Sequence, residues 1–302
     1  MTALRTSILL AGTLATLGCG DSTDPGDHPI AFVFAYAPAN DVTQIDLYVM
    51  SENGRVKGPL VRREGMESHP AWSPDGTRIA FASEEPLAGD AKLYTVRADG
   101  SGLTQLTTGA TEGRGPAWSP DGSRIAFVQL DASSATLAIM NSDGSGVTPV
   151  PGTQGIYNHA PPSWSPDGTR LAFGRLISTA YAIWTVGPDG SGLTRLTSGA
   201  CGDFDPSWSP DGTKLAFVAC TGDGGGGIFI VDADGSNQRQ LTVEPTDRSP
   251  SWSPDGRRIV FEGRRDGAID LYIVNVADGE VLNLTRTPSP EFEMEPDWRP
   301  AP

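Results

Sequence analysis

A five-residue phrase, Trp-Ser-Pro-Asp-Gly, recurs along the chain and constrains its fold more than any other feature. The five copies lie 46, 46, 44 and 44 residues apart and begin at Trp72, Trp118, Trp164, Trp208 and Trp252. A degraded sixth copy, Asp-Trp-Arg-Pro, places Trp298 another 46 residues along. A fixed period of this length is typical of repeat architectures, in which each repeat is one supersecondary unit.

Each repeat has the pattern of four short strands. An apolar segment that ends in Phe follows each full copy, as in Ile79-Ala80-Phe81. A third apolar segment, an Asp-Gly turn and a short fourth segment complete the repeat. Pro-Asp-Gly and Asp-Gly between apolar segments indicate tight hairpins, because Gly accepts a positive φ without a Cβ clash. Four strands in about 45 residues is the size of a propeller blade.

The Trp and Phe signatures are out of phase by half a repeat. Ile30-Ala31-Phe32 stands before any Trp, and no Phe segment follows Trp298. We therefore expect an all-β, six-bladed β-propeller over residues 29–302, with five blades complete between Trp72 and about Thr287. The remaining blade takes its outer strands from Ile30–Val33, Asp46–Met50 and Pro59–Arg62, and its innermost strand from Glu295–Arg299. Sharing one blade between the termini closes the ring and removes exposed sheet edges.

The phrase Pro-x-Trp-Ser-Pro-Asp-Gly-x-x-Ile-Ala-Phe, found at Pro70–Phe81 and in its later copies, resembles the TolB-type propeller repeat. This repeat is also called PD40 or WD40-like, and the resemblance covers about residues 28–300. The Gly-His and Trp-Asp dipeptides of true WD40 repeats do not recur. The resemblance implies a protein of the bacterial cell envelope that engages protein partners through its propeller. The family's namesake has a separate N-terminal domain, whereas about ten residues separate Cys19 from Ile30 here.

Residues 1–18 have the layout of a secretory signal peptide. Arg5 precedes an apolar run from Ile8 to Leu17, which is shorter than the ~20 residues of a membrane-spanning helix. The next residue, Cys19, resembles the start of a bacterial lipoprotein, in which this Cys is lipidated and residues 19–28 form a tether. An ordinary cleaved signal with an incidental Cys is the alternative. Both interpretations predict export, and the lipoprotein would be periplasmic or attached at the outer membrane or cell surface.

Cys201 and Cys220 lie symmetrically about the Ser-Pro-Asp-Gly turn at 209–212. A hairpin folded there sets them nearly opposite each other, and facing residues of an antiparallel pair lie about 4.5–5.5 Å apart, within disulfide range. An exported protein also meets an oxidising compartment. The sequence predicts a structural disulfide, with two separate buried thiols as the alternative.

The charge balance limits the partners. The chain has 22 basic and 37 acidic side chains, for a net charge of −15. Nucleic acid is excluded as an expected partner, because phosphate binding needs a basic face. Loose attachment to anionic lipid is disfavoured for the same reason, so the lipid anchor is the only membrane contact that we expect. We expect a monomer.

The expected topology sorts the loops between two faces. If the first strand of each blade runs from a top face to a bottom face, the uniform turns lie at the bottom and the variable loops at the top, where binding sites are common. Residues three and five positions before each Trp, with two adjacent arginines, then form a predicted rim. Its members are Glu67, His69, Arg114, His159, Asp203, Asp205, Asp247, Arg248, Glu293 and Glu295. The six carboxylates could attract a basic segment of a partner or hold Ca²⁺; solvated loop acids are the alternative.

Signatures of catalysis are sparse. The sequence has no Gly-x-Ser-x-Gly elbow and no Cys-x-x-Cys pair. We therefore expect a non-enzymatic scaffold without a cofactor, which binds an envelope protein or peptide through its top face. Similar repeats also form the propellers of oligogalacturonate lyases, so the first alternative is a metal-assisted polysaccharide lyase or hydrolase with His69 and His159 as ligands. An envelope-stabilising protein without a dedicated ligand is the second.

Overall fold

The computed structural model describes residues 29–36, 45–63, 65–84, 90–131, 134–156, 160–198, 201–265, 267–287 and 291–301. The signal peptide, Cys19 and the predicted tether lie outside these residues. The described part contains 24 strands, which form six antiparallel units of four strands each. No helix long and apolar enough to cross a membrane occurs in it.

We number the blades from the one that contains the N-terminal strand and give the innermost strand first. Blade 1 comprises β24 (Glu291–Trp298), β1 (Ile30–Tyr36), β2 (Ile45–Met50) and β3 (Val56–Val61); blade 2 comprises β4 (Met66–Trp72), β5 (Arg78–Glu84), β6 (Ala91–Arg97) and β7 (Thr104–Gln105). Blade 3 comprises β8 (Glu112–Trp118), β9 (Arg124–Leu130), β10 (Ala135–Asn141) and β11 (Thr148–Pro149). Blade 4 comprises β12 (Ser163–Trp164), β13 (Leu171–Ile177), β14 (Ala180–Val186) and β15 (Thr194–Arg195). Blade 5 comprises β16 (Asp203–Trp208), β17 (Lys214–Cys220), β18 (Gly226–Asp232) and β19 (Arg239–Gln240); blade 6 comprises β20 (Arg248–Trp252), β21 (Arg258–Arg265), β22 (Ala268–Asn275) and β23 (Val281–Asn283).

Blade 1 closes the ring, as the displaced signatures predicted. Strand β24 pairs antiparallel with β1, so that Trp298 lies opposite Ile30 and Glu291 opposite Tyr36. The same strand contacts β20 of blade 6 and β4 of blade 2. The closing strand begins at Glu291, before the predicted Glu295, because β1 is long enough to pair along its whole length.

The core consists of six apolar clusters, one at each interface between neighbouring blades. The Phe of the repeat is central to them: Phe32, Phe81, Phe127, Phe217 and Phe261 are fully buried. Burying such a side chain contributes about 1.5–3 kcal/mol. Because every cluster joins two blades, each blade is held by its neighbours and the ring is stabilised as a whole.

The Trp-Ser-Pro-Asp-Gly phrase recurs because it locks the first hairpin of a blade. In blade 3, Ser119 Oγ donates to Asp121 Oδ1 at 2.6 Å and accepts the backbone N–H of Arg124 at 2.9 Å. The Ser–Asp bond recurs in the other four copies. The hydrogen bond from Ser119, followed by the backbone N–H of Ser123, lowers the pKa of Asp121 to about 2. These aspartates are therefore structural.

Candidate functional site in the central channel

The six innermost strands surround a channel with a cavity volume of about 540 Å³. Its walls are apolar, because the repeated Trp and the prolines on either side of it face the channel in successive blades. The upper end of the lining is formed by the residues three positions before five of the six Trp residues. Four of these are polar: His69, Asp205, Ser249 and Glu295.

The innermost strands share a bulge at this position. The backbone is left-handed there in five blades, with φ between +51° and +56°, at His69, Gly115, Asp205, Ser249 and Glu295. The pairing with the neighbouring strand shifts register at the same place. A residue other than Gly pays about 1–3 kcal/mol to be held in such a sparsely populated conformation, and strain of this kind clusters at functional sites.

Hydrogen bonds from backbone N–H groups to carboxylates connect blades 5, 6, 1 and 2 around the channel. We call Asp205, Glu262, Glu295 and His69 the channel cluster. Glu295 Oε2 accepts the backbone N–H of His69 at 2.6 Å, and Glu295 Oε1 lies 3.5 Å from His69 Nε2. Glu262 Oε2 accepts the backbone N–H of Glu295 at 2.6 Å. Asp205 Oδ2 accepts the backbone N–H of Ser249 at 3.3 Å.

Burial disfavours the negative charge of two members of the channel cluster, Glu262 and Asp205. Burial, reinforced by the Glu295 carboxylate, raises the pKa of Glu262 to about 8. Burial also raises the pKa of Asp205 to about 6, although the Ser249 N–H and His69 favour its ionised form. An opposite charge brought close would favour the ionised carboxylates. The cluster is therefore suited to receive an ammonium or guanidinium group.

The four carboxylates that lie five positions before a Trp are buried, whereas the predicted rim would place them at an open mouth. Glu67, Asp203, Asp247 and Glu293 are 0%, 5%, 0% and 3% exposed. Instead of facing a partner, they contact the blades: Ser83 donates to Glu67 at 3.1 Å, and Thr287 donates to Glu293 at 2.6 Å. Alternate residues of a regular strand share one face, but the bulge interrupts that alternation. The rim prediction was wrong at these four positions in expecting them at an open mouth.

The other rim residues are distributed as follows. Arg114 pairs with Glu84. Arg248 Nη1 donates to the carbonyl oxygens of Pro245 and Asp247 at 2.8 Å each, and its guanidinium lies 5.1 Å from the centre of the Phe204 ring. His159 lies outside the described residues. Of the ten predicted rim residues, the channel thus brings together His69, Asp205 and Glu295.

The predicted disulfide is present. Cys201 and Cys220 are bonded, with their Cα atoms 5.8 Å apart. Cys220 ends β17, and Cys201 lies just before β16, the strand that carries Asp205. The bond therefore fastens the top-face entry of one channel strand to its neighbour.

Metal binding finds no support in this part of the chain. Within the described ranges, His, Cys, Asp and Glu side chains form no group of three that could hold a metal ion. Calcium at the rim stays a prediction, and four of the six carboxylates expected to supply its oxygens are no more than 5% exposed.

The sequence analysis did not single out Glu262. The equivalent residues of other blades are apolar and buried, as at Ala82, Val128 and Val218. The signal was therefore available: a Glu stands where the repeat otherwise has a core residue.

A set of basic residues was also missed. The residue six positions after each full-copy Trp is Arg or Lys, and it can stack on the Trp of the next blade. Arg124 lies 5.0 Å from the Trp164 ring, and Arg170 lies 4.9 Å from the Trp208 ring. Two further Arg–Trp pairs at blade boundaries are Arg258 with Trp298 at 4.9 Å and Arg299 with Trp72 at 5.5 Å. Such cation–π contacts contribute about 0.5–1 kcal/mol each at exposed sites.

Solved structures similar to this one include TolB proteins. TolB from Acinetobacter baumannii has a TM-score of 0.79 at 23% identity, over 90% of this chain and 67% of that chain. The putative TolB from Agrobacterium tumefaciens has a TM-score of 0.63 at 21% identity, over 91% of this chain and 100% of that chain. An oligogalacturonate lyase in complex with manganese has a TM-score of 0.58 at 18% identity, over 80% and 71% of the two chains. At these identities the likeness shows the fold alone.

The sequence itself matches one family model. No curated protein sequence matches the chain. The PD40 model, described as the TolB beta propeller domain, matches residues 25–197, 114–246 and 203–301. Together these matches span nearly the whole described structure, and the chain belongs to the PD40 family of TolB β-propeller domains.

Proposed function

We propose that this protein is exported and acts in the bacterial cell envelope as a scaffold that binds a protein or peptide at the top of its channel. One observation carries the proposal: Asp205, Glu295 and His69 converge at the upper end of a channel of about 540 Å³, with Glu262 behind them. The envelope location follows from the signal-like N-terminus and the family resemblance.

The partner's chemistry follows from the channel. Its carboxylates accept a cation, and the Trp and Pro walls below them offer apolar contact. A peptide segment with a Lys or Arg side chain supplies both. The net charge of −15 also accelerates the approach of a basic partner by electrostatic steering.

Crosslinking in living cells followed by mass spectrometry tests this function. The variant Asp205→Asn/Glu295→Gln removes two charges and keeps the oxygens that accept the N–H groups of Ser249 and His69. The matched control is Glu280→Gln, which changes an exposed acid in the bottom-face turn between β22 and β23. We expect one discrete partner with wild type and control, and at least tenfold less crosslinked partner with the double variant.

Two outcomes contradict the proposal. A partner that crosslinks equally to the double variant excludes the channel carboxylates as its site. A search that finds no partner with any of the three proteins removes the scaffold function.

The lipid anchor is a separate part of the proposal and has its own test. Cell fractionation should find the wild-type protein with membranes and the Cys19→Ser variant in the soluble fraction. If wild type and Cys19→Ser are both found in the soluble fraction, the lipid anchor is disproved while the channel proposal stands.

The metal-assisted lyase or hydrolase stays an alternative prediction. His69 lies beside Glu295, and the second proposed ligand, His159, lies outside the described residues. Purified protein that contains no divalent metal and does not turn over uronate oligomers would remove this alternative.

A further inference from the structure

In the described structure, the interface between blades 2 and 3 lacks the Arg–Trp contact and has a more exposed Trp than the other full copies. Trp118 is half-buried, whereas the Trp rings that begin the other full copies are 5–7% exposed. Arg78 occupies the repeat position whose equivalents stack on the next Trp at three other interfaces. No described Arg is stacked on Trp118 in this way. Trp252 lacks a stacked Arg from the described residues as well, but it is 7% exposed, so Trp118 is the one Trp of the five full copies that combines a missing Arg with partial exposure.

A pocket of about 740 Å³ opens at this interface on the bottom face, opposite the proposed partner site. We call it the blade 2–3 pocket. Its walls come from the first hairpin turns of blades 2 and 3, from the turn between β10 and β11, and from the outer strand β7. The residues used below are Asp75, Arg78, Thr104, Trp118, Asp121 and Asp143.

The pocket presents acceptors that are not used internally. Asp75, Asp121 and Asp143 accept the hydrogen bonds of their own turns through Oδ1. Among the described residues, nothing donates to the Oδ2 atoms of these three side chains. A ligand hydroxyl can therefore donate to them without breaking a turn.

The pocket also presents an unused donor. The Arg78 guanidinium forms no hydrogen bond or ion pair with the described part of the chain. Its strand partner in register is Arg97, so a like charge stands opposite it in place of a counter-ion. Arg78 thus brings up to five N–H donors to the same wall.

These groups together define the ligand class. A partly exposed indole face favours a flat apolar surface, such as the C–H face of a sugar ring, while separate donors and acceptors around it match hydroxyl groups. The three carboxylates outnumber Arg78, which disfavours an anion, and Arg78 disfavours a cation. The volume lies within the usual range of small-molecule sites, about 300–1,000 Å³. We propose that the blade 2–3 pocket binds a neutral oligosaccharide, with one sugar ring stacked on Trp118.

Calorimetric titration with two neutral trisaccharides, cellotriose and triacetylchitotriose, tests this site. The variant Thr104→Trp places a large ring in the pocket from exposed strand β7. Thr148→Trp in β11 is the matched control, since both hydroxyls bond only to a carbonyl two residues earlier, Gly102 or Gly146. We expect at least one trisaccharide to bind wild type and Thr148→Trp equally, and to bind Thr104→Trp at least tenfold more weakly.

Arg78→Ala gives a second measurement that adds no bulk, and it should weaken the same trisaccharide at least tenfold. The proposal is overturned if neither sugar binds wild type at about 10 mM, where even a millimolar Kd gives near-saturation. It is also overturned if a folded Thr104→Trp binds as wild type does, or if a galacturonate trisaccharide binds better than both neutral sugars.

Discussion

Glu295 and His69 lie 226 positions apart in sequence and are joined by a hydrogen bond from the His69 backbone N–H to Glu295 Oε2. The bond crosses the interface at which the ring closes. A second bond crosses with it, because Asp297 Oδ2 accepts the backbone N–H of Trp72 at 2.8 Å. On its other side, β24 donates the N–H of Trp298 to Ser251 Oγ at 3.0 Å. The closing strand is therefore fastened to both neighbouring blades through side chains.

Removing the Asp297 carboxylate should loosen the closing strand. Asp297→Ala leaves the backbone N–H of Trp72 without its acceptor, and such a loss costs about 1–3 kcal/mol. Ser163→Ala is the matched control, because Ser163 Oγ accepts the Trp208 N–H at an interface inside the chain. We expect hydrogen exchange in β1 and β24 to accelerate in Asp297→Ala only. Unchanged exchange in these two strands would contradict this account of closure.

Stability should rise as the pH falls from 8 towards 5. The pKa is raised to about 8 at Glu262, about 7 at Glu67 and about 6 at Asp205 and Asp297, in each case chiefly by burial. Between its ordinary value and the raised one, each group binds more protons in the folded state than in the unfolded state. Folding therefore gains stability as the pH falls through that window and loses it as the pH rises. The thermal midpoint should increase by about 5 °C or more over this range.

The trend should reverse in stronger acid, because the turn aspartates have lowered pKa values, about 2 for Asp121 and Asp167. Their contribution is present above the ordinary Asp value and is lost as the pH falls towards 2. Glu262→Gln keeps an acceptor for the Glu295 N–H without a charge. This variant should melt higher than wild type at pH 8 and show a flatter dependence between pH 8 and 6. If the thermal midpoint of wild type increased as the pH rises from 5 to 8, the raised pKa values of the buried carboxylates would be refuted.

Breaking the disulfide should destabilise the propeller without dismantling it. Cys201 and Cys220 are 19 positions apart, and cross-linking a loop of this size contributes about 3 kcal/mol by the chain-entropy model. Denaturant unfolding of Cys201→Ser/Cys220→Ser should show a loss of this order. Wild type treated with a reductant should shift to match the variant, and a reductant effect of equal size on the variant would point to another cause.

The Ser hydroxyl of each Trp-Ser-Pro-Asp-Gly turn should contribute similarly to stability in every blade that has the turn. Ser119→Ala removes both the donor to Asp121 and the acceptor of the Arg124 N–H, so we expect a loss of about 1–3 kcal/mol. Ser165→Ala, the same change in blade 4, should cost a similar amount. Chemical denaturation of both variants checks the expectation. Widely different losses would show that the phrase plays a different role in each blade.

The architecture was predictable because its determinants are local. Pro-Asp-Gly and Asp-Gly turns fix the hairpins within a few residues, and the half-repeat displacement of Phe32 and Trp298 identified the shared blade. The pairing of Cys201 with Cys220 followed from the same hairpin arithmetic. None of these inferences needed knowledge of how one blade meets the next.

The candidate site was predictable only in part because it depends on the bulge. An alternating strand puts residues three and five positions before Trp on one face, so Glu67 and His69 were expected together. The left-handed residue at the third position separates them, and no residue type marks it: His69, Asp205, Ser249 and Glu295 all adopt it. The blade 2–3 pocket was equally hidden, because Arg78 keeps the residue type of the repeat although it does not stack on Trp118.

Because one blade is built from both ends of the chain, the same propeller could be formed with the termini at a different position. The backbone N–H of Arg299 donates to the carbonyl oxygen of Pro29 at 3.0 Å, so the two ends of the propeller already touch. A short peptide linking them, with a new opening between β3 and β4, would give a circular permutant in which every blade is contiguous. That molecule would have the same core and the same channel, but its ring would be closed by the packing and hydrogen bonds between blades 1 and 2 and not by a strand from the other end of the chain. The difference in the free energy of unfolding between the permutant and the natural protein would measure how much closure of the ring through β24 contributes to stability.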